Sequence, residues 1–162
     1  MLKPETRGVR WKKITLVGIG LLGGSLGMAL RQRRLAGSVA GFVRRRASVL
    51  ECESLGAVDL ATLDLQHAVA NAQLILLCTP IAQMRGLLEA MLPLLNPGTI
   101  ITDVGSVKGS VVRDLEPIAA KAGAHFVGSH PMAGAEKTGV SAGRADLFEG
   151  AVCVVTPTRS VR

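Results

Sequence analysis

A chain of 162 residues with 48% hydrophobic content and 19 glycines is the size of one domain and carries enough apolar mass for a sizeable core. Aromatic residues make up only 2%, so the core must be aliphatic and the stacking surface of single-stranded nucleic-acid binders is missing; a nucleic-acid partner is not expected despite a formal net charge of +7. No apolar run reaches the ~18 residues of a membrane span and the basic first thirteen residues lack a signal-peptide core, so the expectation is a cytoplasmic protein that does not touch a membrane.

Residues 1–12, with Lys3, Pro4, Arg7, Gly8, Arg10 and Lys12, read as a loose basic arm. The β-branched run Ile14 to Val17 then leads into Gly18-x-Gly20-x-x-Gly23, and apolar residues at helical spacing follow through Leu26, Ala29 and Leu30. Strand, tight turn and helix in that order predict a dinucleotide site. Gly18 permits the turn, Gly20 lets the backbone approach a pyrophosphate, and Gly23 lets the helix pack closely on its strand. Leu21 and Leu22 open the helix, whose unpaired N–H groups favour an anion.

Gly37 is expected to stop that helix, Ser38 to Val43 to form a second strand, and Ala47 to Leu55 a helix ended by Gly56. Asp64 can cap a helix through Ala70. Leu74 to Cys78 is an apolar run short enough for a doubly buried strand, and Thr79-Pro80 ends it. Ile81 to Leu95 has helical spacing at Met84, Leu87, Leu88, Met91 and Leu95, and Asn96-Pro97-Gly98 is a turn. Thr99 to Asp103 is a strand, the segment from Val104 to Gly109 a loop, and Ser110 to Ala122 mostly helical, with Pro117 expected to kink or break it. His125 to Ser129 and Ala151 to Thr156 are the remaining strands, with a long polar loop from His130 to Gly150 between them.

This alternation predicts an α/β, Rossmann-like, doubly wound and mainly parallel sheet with helices on both faces. Ligands then sit outside the carboxyl ends of the strands, where Gly18 to Gly23, Arg44, Cys78-Thr79-Pro80, Asp103 to Ser106 and Ser129-His130 fall. About twenty residues past Gly23, where NAD sites carry an acid, stands Val43, followed by Arg44, Arg45 and Arg46 with no carboxylate before Glu51. Those arginines point to the 2′-phosphate of NADP rather than to NAD. Cys52, Cys78 and Cys153 share no metal-ligand spacing with His67, His125 or His130, so no metal is expected.

Four segments carry a family resemblance: Val17 to Leu26, Leu77-Cys-Thr-Pro80, Thr102-Asp-Val-Gly-Ser-Val-Lys108, and Gly128-Ser-His-Pro-Met-Ala-Gly-Ala-Glu-Lys-Thr-Gly139. In order and spacing they resemble the prephenate and arogenate dehydrogenases of tyrosine biosynthesis over about residues 13 to 157. The resemblance implies oxidative decarboxylation: hydride passes from the ring carbon bearing the hydroxyl to the nicotinamide, and CO₂ leaves as the ring becomes aromatic. It makes His130 the catalytic histidine that takes the hydroxyl proton, and Ser106 the serine that contacts substrate hydroxyl and histidine. Asp103 and Ser129 fall at the cofactor edge, Lys108 is a weaker candidate, and Glu136 and Lys137 lie near the substrate entrance with roles left open. The family continues beyond the point where this chain ends at Arg162. Residues 158–162 are therefore expected to begin a linker to an absent helical domain that makes the homodimer and completes the substrate pocket. Prephenate and arogenate stay open as substrates, as do two other readings: a 3-hydroxyacid or imine-type dehydrogenase and a non-catalytic dinucleotide sensor.

Overall fold

The computed structural model describes residues 11–161, so most of the expected basic arm lies outside the described residues. The first strand, β1 (Trp11–Val17), starts earlier than the apolar run alone suggests. Its outer end alternates between exposed and half-buried residues, and Trp11 and Lys13 still pair with the next strand. The order continues α1 (Leu21–Gln32), β2 (Ala36–Phe42), α2 (Ala47–Ser54), β3 (Leu60–Thr62), α3 (Leu65–Val69), β4 (Leu74–Leu77), α4 (Ile81–Met91), β5 (Ile100–Asp103), α5 (Gly109–Ala120), β6 (His125–Pro131) and β7 (Cys153–Thr156). The sheet order is β3-β2-β1-β4-β5-β6-β7, parallel throughout except for the antiparallel β6-β7 pair. This is the doubly wound arrangement, and its switch point falls between β1 and β4.

Strand side chains alternate between two cores. Val17, Ile75, Leu77, Ile101 and Phe126 pack with Met84 and Leu88 of α4 and with Leu115 and Ile118 of α5. On the other face, Leu16 and Val39 pack with Cys52 and Val58, with Leu26 and Leu30 of α1 against them. Burying such aliphatic side chains stabilises the fold by roughly 1.5–3 kcal/mol each. The register also aligns the strand ends: Val17 lies beside both Phe42 and Leu77, and Leu77 beside Asp103. The carboxyl edge is therefore level, and the loops that follow these strands meet on it.

Four local expectations change. Gly37 lies inside β2, where an added Cβ would come within 2.9 Å of the Lys12 carbonyl. The helix before it is closed by Arg34 in the left-handed region at φ 52, with Leu35 N–H donating to Leu30 O and Arg34 N–H to Arg31 O. Strand β3 has only three residues on the sheet edge, too short for an apolar period to reveal. Pro117 does not break α5, which continues to Ala120; it sits on the exposed face, while Leu115, Ile118 and Ala119 around it are buried and hold the helix on the sheet.

The fourth change is the segment from His130 to Gly150, which is packed rather than loose. Strand β6 runs on to Pro131, a 3₁₀ turn spans Val140–Ala142, and Val140 and Leu147 are buried. The segment straps α1: Arg144 N–H donates to the fully buried Ser25 Oγ at 3.0 Å, and Glu149 meets Arg33 at 2.6 Å. Two glycines make the close approach possible. A Cβ on Gly24 would stand 3.0 Å from Val140 Cγ2, and one on Gly143 would stand 3.3 Å from the Ser25 nitrogen.

Candidate active site

The glycine turn leaves β1 through Gly18 at φ 93, a conformation that L side chains resist. An added Cβ there would also strike Thr79 Cγ2 at 2.7 Å. Gly20 has open space around its missing Cβ, whereas a Cβ on Gly23 would lie 2.3 Å from Gly18 O and 3.1 Å from Cys78 Cβ. Gly20 thus leaves room for a ligand, and Gly23 serves the packing of α1 on the sheet. The first turn of α1 holds no acidic residue and its N-cap, Gly20, has no side chain, so no side chain caps this helix end.

Beside this turn opens a cavity of about 380 Å³, lined by Gly18, Gly20, Arg44, Arg45, Cys78, Thr79 and Pro80 from the sequence reading. The volume is in the range of small-molecule sites. Of its remaining walls, Ile19 lies within the glycine turn and Val43 stands where the sequence places the end of the second strand, whereas Phe42, Ser48, Gln83 and Leu87 were not legible as site residues, because helix phase and sheet order bring them there. Leu21, Leu22 and Gly23 open α1 beside the cavity without lining it, and Arg46, the N-cap of α2, is also outside the lining.

The polar side chains of the cavity lack partners among the described residues. Arg31, Arg33, Arg85, Arg113 and Arg144 each meet a carboxylate, whereas Arg44, Arg45 and Arg46 meet none among the described residues. Thr79 Oγ1 is buried with no hydrogen-bond partner among the described residues, which costs about 1–3 kcal/mol. Cys78 is different in kind: burial, with the charge of Asp103 adding to it, pushes its thiol from 9.0 up to about 12, so it is an inert wall.

Further along the edge, Asp103 is fully buried and does not line the cavity. Its carboxylate accepts from Gly105 N–H at 2.8 Å and Ser129 N–H at 3.1 Å and pairs with Lys108 Nζ. Lys108 Nζ also donates to Ser129 O at 2.8 Å, while Ser129 Oγ donates to Asp103 O at 2.6 Å and accepts from Thr102 Oγ1 at 3.0 Å. Asp103 and Ser129, placed at the cofactor edge on sequence grounds, are thus tied to each other, and Lys108 gains a definite structural part. Next to this knot, His130 Nδ1 lies 3.3 Å from Val104 O. A carbonyl only accepts, so this contact puts the ring proton on Nδ1 and leaves the Nε2 lone pair free. Ser106, on the loop between Val104 and Lys108, is exposed and makes no side-chain hydrogen bond among the described residues. Glu136 and Lys137 are exposed. Among the described residues no cluster of three or more His, Cys, Asp or Glu could hold a metal ion, and no helix is long and apolar enough to cross a membrane.

Comparison with known proteins places this geometry. A family model for the prephenate dehydrogenase nucleotide-binding domain matches residues 26–161. A cyclohexadienyl dehydrogenase of Zymomonas mobilis is 39% identical over 153 residues, which cover 91% of this chain and 50% of that protein. The structure of Synechocystis arogenate dehydrogenase aligns with a TM-score of 0.84 at 35% identity, covering 93% of this chain and 51% of the other. That of Aquifex aeolicus prephenate dehydrogenase, in complex with hydroxyphenyl propionate and NAD+, aligns at 0.85 and 32% identity, covering 93% and 52%. The chain spans about half the length of these relatives. With the family model covering most of its length, the chain belongs to the prephenate dehydrogenase family, in the part that forms the nucleotide-binding domain.

Proposed function

We propose that this chain is the cofactor-binding half of an NADP-dependent dehydrogenase that oxidatively decarboxylates prephenate, arogenate or both in tyrosine biosynthesis. The observation that carries the choice of NADP is the pair of unpartnered arginines, Arg44 and Arg45, walling a cavity beside the glycine turn that has no carboxylate in its lining. The N-terminus of α1, capped by no side chain, suits a pyrophosphate, and Ser48 lines the cavity with Arg44 and Arg45. When bound, the nicotinamide accepts the hydride, and loss of CO₂ with aromatisation of the ring supplies the driving force.

The chain's own part is orientation and proton transfer. His130 takes the proton of the substrate hydroxyl at Nε2 as carbonyl character develops, with Val104 O holding Nδ1–H and thereby the tautomer. Ser106, free to donate and accept, bridges substrate hydroxyl and imidazole. The linker that begins near residue 158, a helical domain that completes the pocket and makes the dimer, and a cytoplasmic location belong to the same reading.

Calorimetry on the 162-residue chain tests the cofactor. A hydrogen bond to a charged group contributes about 1.5–3 kcal/mol, so Arg44→Ala and Arg45→Ala should each weaken NADP binding by about ten- to a hundredfold and barely affect NAD. Equal parental affinity for NAD and NADP, or equal losses for both in the variants, would sink the NADP assignment. Joined to its downstream domain, the chain should oxidise prephenate or arogenate; inactivity with both would refute the reaction.

A further inference from the structure

The cavity contains a polar side chain to which the reading above gives no role. Gln83 stands one turn into α4, on the opposite side of the glycine turn from Arg44 and Arg45, and it lines the same cavity. Its backbone N–H is satisfied by Pro80 O at 2.9 Å, and its carboxamide has no hydrogen-bond partner among the described residues, although the residue is half-buried. The contrast with Gln73 is instructive: that carboxamide accepts from Lys12 N–H at 2.6 Å and serves the fold. The apolar Val43, Pro80 and Leu87 line the same cavity. A slot with apolar walls and one free carboxamide suits a flat ring with a hydrogen-bonding edge.

We propose that Gln83 reads the adenine edge of the dinucleotide, accepting from the exocyclic amino group and donating to the adjacent ring nitrogen. The inference rests on the dinucleotide reading of this cavity and adds a base-recognition residue to it. A carboxamide presents an acceptor and a donor side by side, and adenine presents the complementary pair, which is the geometry of bidentate glutamine-adenine contacts. With the pyrophosphate at the α1 amides and the 2′-phosphate at Arg44 and Arg45, the adenosine lies between them and α4, within reach of the first turn of that helix. Gln83 thereby selects adenine dinucleotides by a polar contact, while the apolar walls hold the ring without regard to its edge.

The probe is 1,N6-etheno-NADP, in which the etheno bridge removes the N–H donors of the amino group and leaves the ribose phosphates intact. Binding of NADP and etheno-NADP to the 162-residue chain is measured by calorimetry for the parent and for Gln83→Met, which keeps the length of the side chain and loses the amide. The parent should prefer NADP by roughly 5- to 150-fold, and Gln83→Met should bring that ratio close to one by weakening NADP alone. A Gln83→Met variant that keeps the parental preference overturns the inference while leaving the dinucleotide reading intact; a parent that binds neither nucleotide overturns both. A second measurement does not depend on the variant's folding. The ¹⁵N-labelled side-chain amide of Gln83 should shift on adding NADP or NAD and stay in place on adding nicotinamide mononucleotide, and an amide that ignores all three is contrary to the proposal.

Discussion

Replacing Lys108 with methionine isolates the knot beside His130. The Asp103 side chain is fully buried and that of Lys108 is 14% exposed, so the pair is shielded from solvent. Breaking a buried pair by removing one partner costs about 3–5 kcal/mol, because the charge left behind is uncompensated. Here the carboxylate keeps two backbone donors, Gly105 and Ser129 N–H, which places the loss near the lower end of that range. Ser129 O also loses a donor, worth about 1 kcal/mol. We therefore expect Lys108→Met to cost about 3–4 kcal/mol, or a fall in Tm of about 6–16 °C for a domain of this size. Urea denaturation followed by circular dichroism gives the free energy. Adding Asp103→Asn removes the stranded charge, so the double variant should be more stable than Lys108→Met by about 1 kcal/mol or more. In the folded single variant the amide resonances of Gly105 and Ser129 should shift together, since one carboxylate accepts from both. A loss below about 1 kcal/mol, or a double variant as unstable as the sum of the two single changes, would refute the claim that charge compensation holds this knot.

In the chain joined to its proposed second domain, His130→Asn should lower kcat by about 10²- to 10⁴-fold while NADP affinity of the 162-residue chain stays unchanged; an undiminished kcat removes the proton-transfer role. Arg34→Gly should raise stability by about 0.5–1 kcal/mol in thermal unfolding, because glycine takes φ 52 without the steric cost that arginine carries, and Arg34 has no ion pair among the described residues to lose; a fall in Tm would contradict this. Burial, reinforced by neighbouring acids, pushes the thiols of Cys78 and Cys52 from 9.0 to about 12 and about 11, above their unfolded values, so the stability they lend is whole below pH 9 and is lost as pH rises toward 11 and 12. The urea midpoint should fall across that window, less steeply in Cys78→Ser, and an identical slope in parent and variant would show that the Cys78 thiol does not titrate there.

Chain order was legible wherever a single period rules a stretch. Leu74 to Leu77 reads as a buried strand because every residue is apolar, and α3 reads from Asp64, whose carboxylate does accept from Gln66 and His67 N–H. What failed needed knowledge of distant partners. Arg34, not Gly37, takes the left-handed turn, because Gly37 is required where β2 passes the Lys12 carbonyl. Asp103 looks like a ligand group in a row of loop residues, yet the residues that claim it include Ser129, 26 positions away. Ser48 and Gln83 sit in unremarkable helical sequence, and only the sheet order β2-β1-β4 brings α2 and α4 to the two sides of one cavity.

The segment after His130 makes the same point with a functional consequence. Its polar composition reads as a loop, but Arg144 N–H reaches Ser25 Oγ across 119 positions, and Val140 packs where Gly24 lacks a side chain. Gly24 and Ser25 continue the glycine fingerprint in sequence, but in the fold they serve the strap rather than the ligand. Helix α1 therefore has two duties: its uncapped N-terminus follows the glycine turn beside the cavity, and its second turn holds the segment that runs on from His130. A shift of α1 on the sheet would move both at once. Gly23, where a Cβ would lie 2.3 Å from Gly18 O, and Gly27, where one would lie 1.9 Å from Ala57 O, let the helix pack this close to its neighbours. The glycine turn and the segment after His130, separate motifs in the chain, in this way meet on one helix.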